Sequence, residues 1–193
     1  MYAVLAEDIS DADVISAIIK AIKNDLSITV LKKGYGGAGQ LFKQGSEQIR
    51  AYRHAKACRK FIVCYDSDGF DAAERKDRII KEIIMPSGVE ANFCALVPIQ
   101  EIEAWFLSDL SAVKKVFPRF DSTNRVVNPE SVLNPKEYLH RNISKLEPRP
   151  RYVNAIHSPQ IAAKLDFPLV KAKCKSFEPL FDFVSDGKGN VVN

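Results

Sequence analysis

The chain has 193 residues, 46% hydrophobic and 27% charged, with a formal net charge of +4. This composition excludes a disordered polyelectrolyte and suits one good core with a small appendage. No apolar run approaches the ~18 residues of a membrane span, and the first residues lack the basic-then-apolar layout of a secretory signal, so no membrane association and a cytoplasmic location are expected. Cys58, Cys64, Cys94 and Cys174 show no C-x-x-C spacing, and His54, His140 and His157 show no ligand spacing. Small core cysteines are expected rather than zinc ligands or disulfides.

In chain order the pattern predicts a strand over 2–6, an amphipathic helix over 11–23, a strand over 26–31, a Gly-rich loop over 34–39 and a helix over 41–58. A strand over 60–65, a helix over 70–85, a strand over 91–97 and a helix over 100–115 follow. Val14, Ile15, Ile18, Ile19 and Ile22 form one apolar helical stripe. Strands alternating with helices imply βαβ units, hence an α/β fold with a mostly parallel four-stranded sheet flanked by helices. After Pro118 prolines recur at 129, 135, 148, 150, 159, 168 and 179 and cut the rest into short helices and loops, with Ser158-Pro159 as a helix start. One domain with an extension is expected: an α/β unit over 1–115 and a basic, Pro-rich helical C-terminal extension over 116–193 packed on it, with a loose tail over 185–193.

Acidic residues gather where strands end. Tyr2-Ala3-Val4-Leu5-Ala6 leads into Glu7-Asp8-Ile9-Ser10-Asp11, and Phe61-Ile62-Val63-Cys64-Tyr65 leads into Asp66-Ser67-Asp68-Gly69. Ligands of parallel α/β sheets sit outside the carboxyl ends of the strands. Extended backbone through Asp68 would put Asp66 and Asp68 on one face, where a hard cation such as Mg²⁺ or Mn²⁺ relieves their repulsion. The plainer alternative is a polar turn. Helix capping accounts for Asp8, Ser10 and Asp13, and Asp11 also favours the positive helix end; Glu7 is left unexplained, and Asp11, about one turn beyond it, is close enough to share a ligand. A third cluster, Glu101 and Glu103, follows the fourth strand; in a first helical turn such residues also favour the helix dipole, and Trp105 is an apolar anchor.

Charge divides along the chain. Residues 1–110 hold 14 Lys and Arg against 16 Asp and Glu, whereas residues 111–178 hold 13 against 6. A basic flank beside an acidic, cation-loaded crevice suits a polyanion, so nucleic acid is the expected partner. Arg50 and Arg53, with His54 at facing spacing on the second helix, and Lys136 and Arg141 in the extension are the candidate phosphate contacts; solvated surface is the alternative. The loop Gly34-Tyr35-Gly36-Gly37-Ala38-Gly39 reads as a flexible turn or, less specifically, as a phosphate cradle at a helix N-terminus.

Glu7 after the first strand and Asp66-x-Asp68 after the third resemble the Toprim superfamily, the metal-binding fold of topoisomerases, primases, recombination mediators and the nuclease domains of the OLD family. Glu7-Asp8-Ile9-Ser10-Asp11 is similar to the Glu-x-x-x-Asp first motif of OLD-type nucleases. Glu103-Ala104-Trp105-Phe106-Leu107-Ser108-Asp109 and Asn134-Pro135-Lys136 look similar to small stand-alone Toprim-like proteins. The resemblance implies a Toprim-like, Rossmann-like fold and Mg²⁺- or Mn²⁺-dependent phosphodiester hydrolysis of DNA or RNA. Glu7, Asp11, Asp66, Asp68 and Glu103 would hold the metal, with Glu101 as substitute for Glu103; Glu7, Asp66, Asp68 and Lys136 would carry the chemistry. Where many Toprim proteins have Gly after the first glutamate, this chain has Asp8. No ATPase domain, helicase motif or assignable topoisomerase tyrosine is seen, which leaves a stand-alone subunit with a separate ATPase or other subunit as a further partner. Two alternatives stand beside this one. Asp66-Ser67-Asp68-Gly69 also resembles the opening of haloacid-dehalogenase-type phosphatases, with Asp66 as nucleophile, although Phe70 replaces the expected small residue. The other is a catalytically silent Toprim-like module that binds nucleic acid or a partner.

Overall fold

Alternate side chains of a strand point to opposite faces, and three of the four strands of this protein are apolar on both, the edge strand with Lys32 and Lys33 being the exception. In the computed structural model, which describes residues 1–123, 125–146, 152–186 and 189–190, they form a parallel sheet with order β2-β1-β3-β4. The strands are β1 (Tyr2–Ala6), β2 (Val30–Gly34), β3 (Lys60–Cys64) and β4 (Phe93–Leu96). β1 is central, pairing Tyr2 with Val30 and Lys60, and Ala6 with Gly34 and Cys64. Burial on both faces is the normal condition of parallel strands.

On one face Tyr2, Val4, Ala6, Ile62, Cys64, Cys94 and Leu96 pack against α1 (Ile9–Ile22), whose Val14, Ile15, Ile18 and Ile19 form the buried stripe. On the other, Ala3, Leu5, Phe61, Val63, Phe93 and Ala95 meet α2 (Ala38–Ala55) and α3 (Ala72–Ile79) through Leu41, Ile49 and Ile79. α3 continues through a π-helical turn, Ile80–Ile84, into α4 (Met85–Ser87). Pro86 supplies no N–H, and the wider turn before it absorbs that missing donor.

The polypeptide beyond β4 covers the α1 face. α5 (Glu103–Ser108), α6 (Leu110–Val116), α7 (Pro135–Leu146), α8 (Asn154–Ala162), α9 (Phe167–Lys173) and α10 (Glu178–Ser185) follow in order. Leu139, Ile143, Ile161, Val170, Leu180 and Phe183 share one apolar cluster with the sheet. Trp105 is fully buried, donates to Ser176 Oγ at 2.9 Å and meets Phe177 edge-on. A buried side chain of this size contributes about 1.5–3 kcal/mol or more. All four cysteines are buried and free, and among the described residues no helix is long and apolar enough to cross a membrane.

Four expectations are corrected. The second strand starts at Val30, not residue 26, because Asp25 Oδ1 holds Ser27 N and Oγ in a local turn that leaves Leu26 84% exposed. The helix over 100–115 is two helices, since Asp109 leaves helical geometry to accept from Ser111 N and Ala112 N while its second oxygen accepts from Asp166 N. Pro159 lies inside α8 rather than at its start, and Ser158 faces inward to bond Tyr152 and Asn154. Within the tail, Asn190 donates its amide to Phe93 O and accepts from Ala95 N through Oδ1; residues 187, 188 and 191–193, like Pro148 and Pro150, lie outside the described residues.

Candidate active site at the strand ends

Each acidic residue reaches the site by a separate local cause. β1 ends at Ala6, and Glu7 follows directly; its carbonyl accepts the amides of Tyr35, Gly36 and Gly37 at 3.1, 2.8 and 3.2 Å. The Gly-rich loop therefore spends three successive amides on the Glu7 backbone, which identifies it as a clasp on the first strand end rather than a cradle for phosphate. Gly36 and Gly37 take φ of 71° and 134°, conformations that favour glycine. Asp8 caps α1 by accepting from Ser10 N, Asp11 sits in the first turn, and Asp13 pairs with Lys32.

The turn after β3 is left-handed at Asp68, with φ 50°, so extended geometry stops short of it and the simple same-face argument for Asp66 and Asp68 does not hold. Ser67 instead fixes the turn: its amide donates to Pro98 O at 3.0 Å, and its Oγ accepts Gln100 N at 3.1 Å. This stitch draws the loop before α5 alongside, with Glu101 ahead of the helix and Glu103 in its first turn.

Together Glu7, Asp8, Asp11, Asp66, Asp68, Glu101 and Glu103 line one cavity of about 360 Å³, with Ser10, Gly36, Gly37 and Lys136. Asp66 is central. Burial first, then Asp11, Glu103, Asp68 and Glu7 in turn, push its carboxyl well above the ordinary carboxylate range. Burial and Asp8 raise Asp11 to about 6, against the pull of Lys136. Glu103, only 3% exposed, is raised to about 7 by burial, with Glu101 and Asp11 adding to it and Lys136 opposing. Burial and Asp68 raise Glu7, while Ala38 N, Arg75 and Asp66 N hold it down. These directions share one origin, negative charges crowded into partly desolvated space with few cations among them.

Asp66 Oδ1 is shut from solvent without a hydrogen-bond partner, a costly state for a carboxylate oxygen. Such a donor set fits a hard divalent cation, which takes oxygen ligands. Among the described residues no three His, Cys, Asp or Glu side chains stand as a ready-made ligand cage; Mg²⁺ commonly uses one or two carboxylates and keeps several waters, so a cage is not required.

The basic candidates divide. Lys136, in the first turn of α7, is at the cavity, and its amide donates to Glu101 Oε2 at 3.0 Å. Arg141 lines an adjoining cavity of about 580 Å³ with Lys136, His140 and Tyr152. Arg50 and Arg53 do not reach the site. They donate to Pro86 O at 2.9 Å and Gly88 O at 2.7 Å, and Arg53 sits at the opposite, amino-terminal edge of the sheet with Cys58 and Asn92. Those carbonyls at the end of α4 explain them as helix-terminal ties. Sequence reasoning missed Ser67, Gln100 and Arg75. Only positive-φ geometry at Asp68 and Gln100 and the folded position of α3 reveal them.

A family model described as a domain of unknown function, DUF4276, matches residues 6–185. None of the curated proteins compared matches the chain. Among solved structures, the C-terminal region of the Burkholderia pseudomallei OLD protein is similar at 14% identity and TM-score 0.45, over 96% of this chain and 97% of that one. The C-terminal region of the Xanthomonas campestris pv. campestris OLD protein is similar at 10% identity in two forms. Its iodine-phased form gives TM-score 0.47 over 96% of each chain, and its mercury-phased form 0.44 over 96% and 97%. The model's match over nearly the whole chain makes this protein a member of the DUF4276 family.

Proposed function

We propose that the protein is a Toprim-type nuclease that hydrolyses phosphodiester bonds of DNA or RNA with Mg²⁺ or Mn²⁺. The observation that carries the reading is Asp66, a carboxylate with one oxygen buried and unbonded and four further acids raising its pKa. Glu7, Asp11, Asp66, Asp68 and Glu103 would hold one or two ions. When bound, such ions supply water activation and neutralisation of the leaving oxygen.

The chain's own groups would do the positioning. Lys136, at the rim, offsets the extra negative charge on phosphorus as the bond breaks. Glu7, half-buried with a raised pKa, is the group suited to accept or return a proton. Asp8 is committed to capping α1 and Glu101 to the α7 amide, which leaves Glu103 as the third-cluster ligand.

Incubating plasmid, single-stranded DNA and RNA with the protein in Mg²⁺, Mn²⁺ or chelator tests this. Metal-dependent cleavage lost in Asp66→Ala is expected; equal traces of cleavage by wild type and variant would sink the reading.

A further inference from the structure

The turn that carries Asp66 and Asp68 ends on an exposed aromatic ring. Phe70 is 66% exposed, yet its amide is tied to Ser67 O at 2.9 Å, so the backbone beneath the ring is fixed. Its covered face meets Arg75, whose guanidinium carbon lies 4.5 Å from the Phe70 ring centroid and 4.3 Å from that of Tyr65. Tyr65 is buried and anchors the group; Phe42 meets it edge-on at 5.0 Å, and the exposed Arg78 lies over Phe42 at 3.9 Å. Rings and guanidinium groups thus form a continuous column anchored on the buried Tyr65, which ends at Phe70 in an exposed aromatic face.

Column and acidic cavity are joined. Arg75 is near enough to Glu7 to act on its carboxylate electrostatically, and its Nε is buried without a hydrogen-bond partner. Phe70 stands two residues beyond Asp68, which lines the cavity. A ring backed by a guanidinium and mounted on a fixed turn is preorganised for stacking.

We propose that Phe70, backed by Arg75, is a stacking platform for an unpaired nucleobase, and that the nucleic acid taken by this protein is single-stranded next to the phosphate it presents to the cavity. The ligand class rests on the nuclease reading; the platform rests on the column. Bases stack on protein aromatics only when free of their own stack, and each such contact is sequence-tolerant. A paired base within a duplex keeps its faces covered by its neighbours and cannot use a single ring.

The test uses the full chain and oligonucleotides carrying 2-aminopurine, whose fluorescence falls on stacking, as single strand and as duplex in Ca²⁺ and in chelator. Wild type is expected to prefer the single strand and quench the probe. Phe70→Ala should weaken single-strand binding about tenfold and relieve the quench, with Phe70→Trp restoring both and duplex binding unchanged. The platform is overturned if Phe70→Ala binds and quenches as wild type does, if it loses single strand and duplex alike, or if wild type fails to bind the single strand. Intact quenching without cleavage in Mg²⁺ or Mn²⁺ supports the platform and removes the nuclease reading alone.

Discussion

Glu101 Oε2 accepts the backbone amide of Lys136 at 3.0 Å, joining the loop after β4 to the first turn of α7. One glutamate of the third cluster is thereby spent on architecture. Glu103, two residues on, is buried beside Asp11 and Asp66. Gln keeps an acceptor oxygen at position 101 but removes a charge at 103. Glu101→Gln is therefore expected to bind Mn²⁺ and cleave nearly as wild type does. Glu101→Ala frees the start of α7 and should lower cleavage about tenfold or more through Lys136. Glu103→Gln should lower Mn²⁺ affinity by more than tenfold. Calorimetric titration beside cleavage rates separates the three, and a Glu103→Gln protein with unchanged Mn²⁺ affinity removes Glu103 from the ligand set.

Asp66 predicts an inverse relation between stability and ion binding. Its charge is surrounded by Asp11, Glu103, Asp68 and Glu7, and one oxygen has no partner, so without cations the ionised site opposes folding. Asp66→Asn is expected to raise Tm in chelator by several degrees. The same variant should lose most of the rise in Tm that Mg²⁺ or Mn²⁺ gives wild type, because that rise reflects binding to the folded state alone. Thermal melts with and without ion decide it; a variant destabilised in chelator contradicts the crowded-charge account.

Gly34 shows how tightly the first strand end is built. A Cβ there would lie 2.3 Å from Ile9 N and 2.7 Å from Ile9 Cα, backbone atoms at the start of α1. Relief requires β2 and α1 to part, moving the segment between Glu7 and Asp11. Gly34→Ala should cost about 1–3 kcal/mol or more, seen as a lower midpoint in urea denaturation, and should weaken Mn²⁺ binding. A midpoint equal to wild type would show that the sheet edge yields easily.

The α/β class and parallel sheet were legible because β1, β3 and β4 are apolar on both faces and α1 carries a regular stripe. β2 was misplaced because Leu26, Ile28 and Val30 extend the alternation backwards, while the Asp25 side chain that ends it acts through two local bonds to Ser27. The acids that line the cavity were legible as strand-end residues, but their division of labour was not. Nothing local distinguishes Glu101 from Glu103; only the placement of α7 does. Arg50 and Arg53 had the spacing of a phosphate-binding face, and the carbonyls that occupy them belong to a segment more than thirty residues away. Arg75 carried no signal at all, since a single arginine in an exposed helical turn looks like any other.

The raised carboxyls fix the sign of a pH dependence. Asp11, ordinarily near 3.8, stands at about 6 in the folded protein, and Glu103, ordinarily near 4.5, at about 7. Between those limits the folded state holds protons that the unfolded chain has released, so stability falls as pH rises. The contribution is fully present below about pH 4 and is lost as pH passes through 6 to 7. For Glu103 alone the loss is on the order of 3 kcal/mol. In chelator the protein should therefore unfold at lower urea at pH 7.5 than at pH 5.5. A bound divalent cation favours the ionised carboxylates, so saturating Mg²⁺ or Mn²⁺ should flatten or reverse this slope. In Glu103→Gln the chelator slope should shrink by the Glu103 share while the Asp11 share near pH 6 persists. Urea midpoints at four pH values, with and without ion, give the result. A wild-type protein in chelator that gains stability from pH 5.5 to 7.5 would show that these carboxyls are not crowded in the folded state.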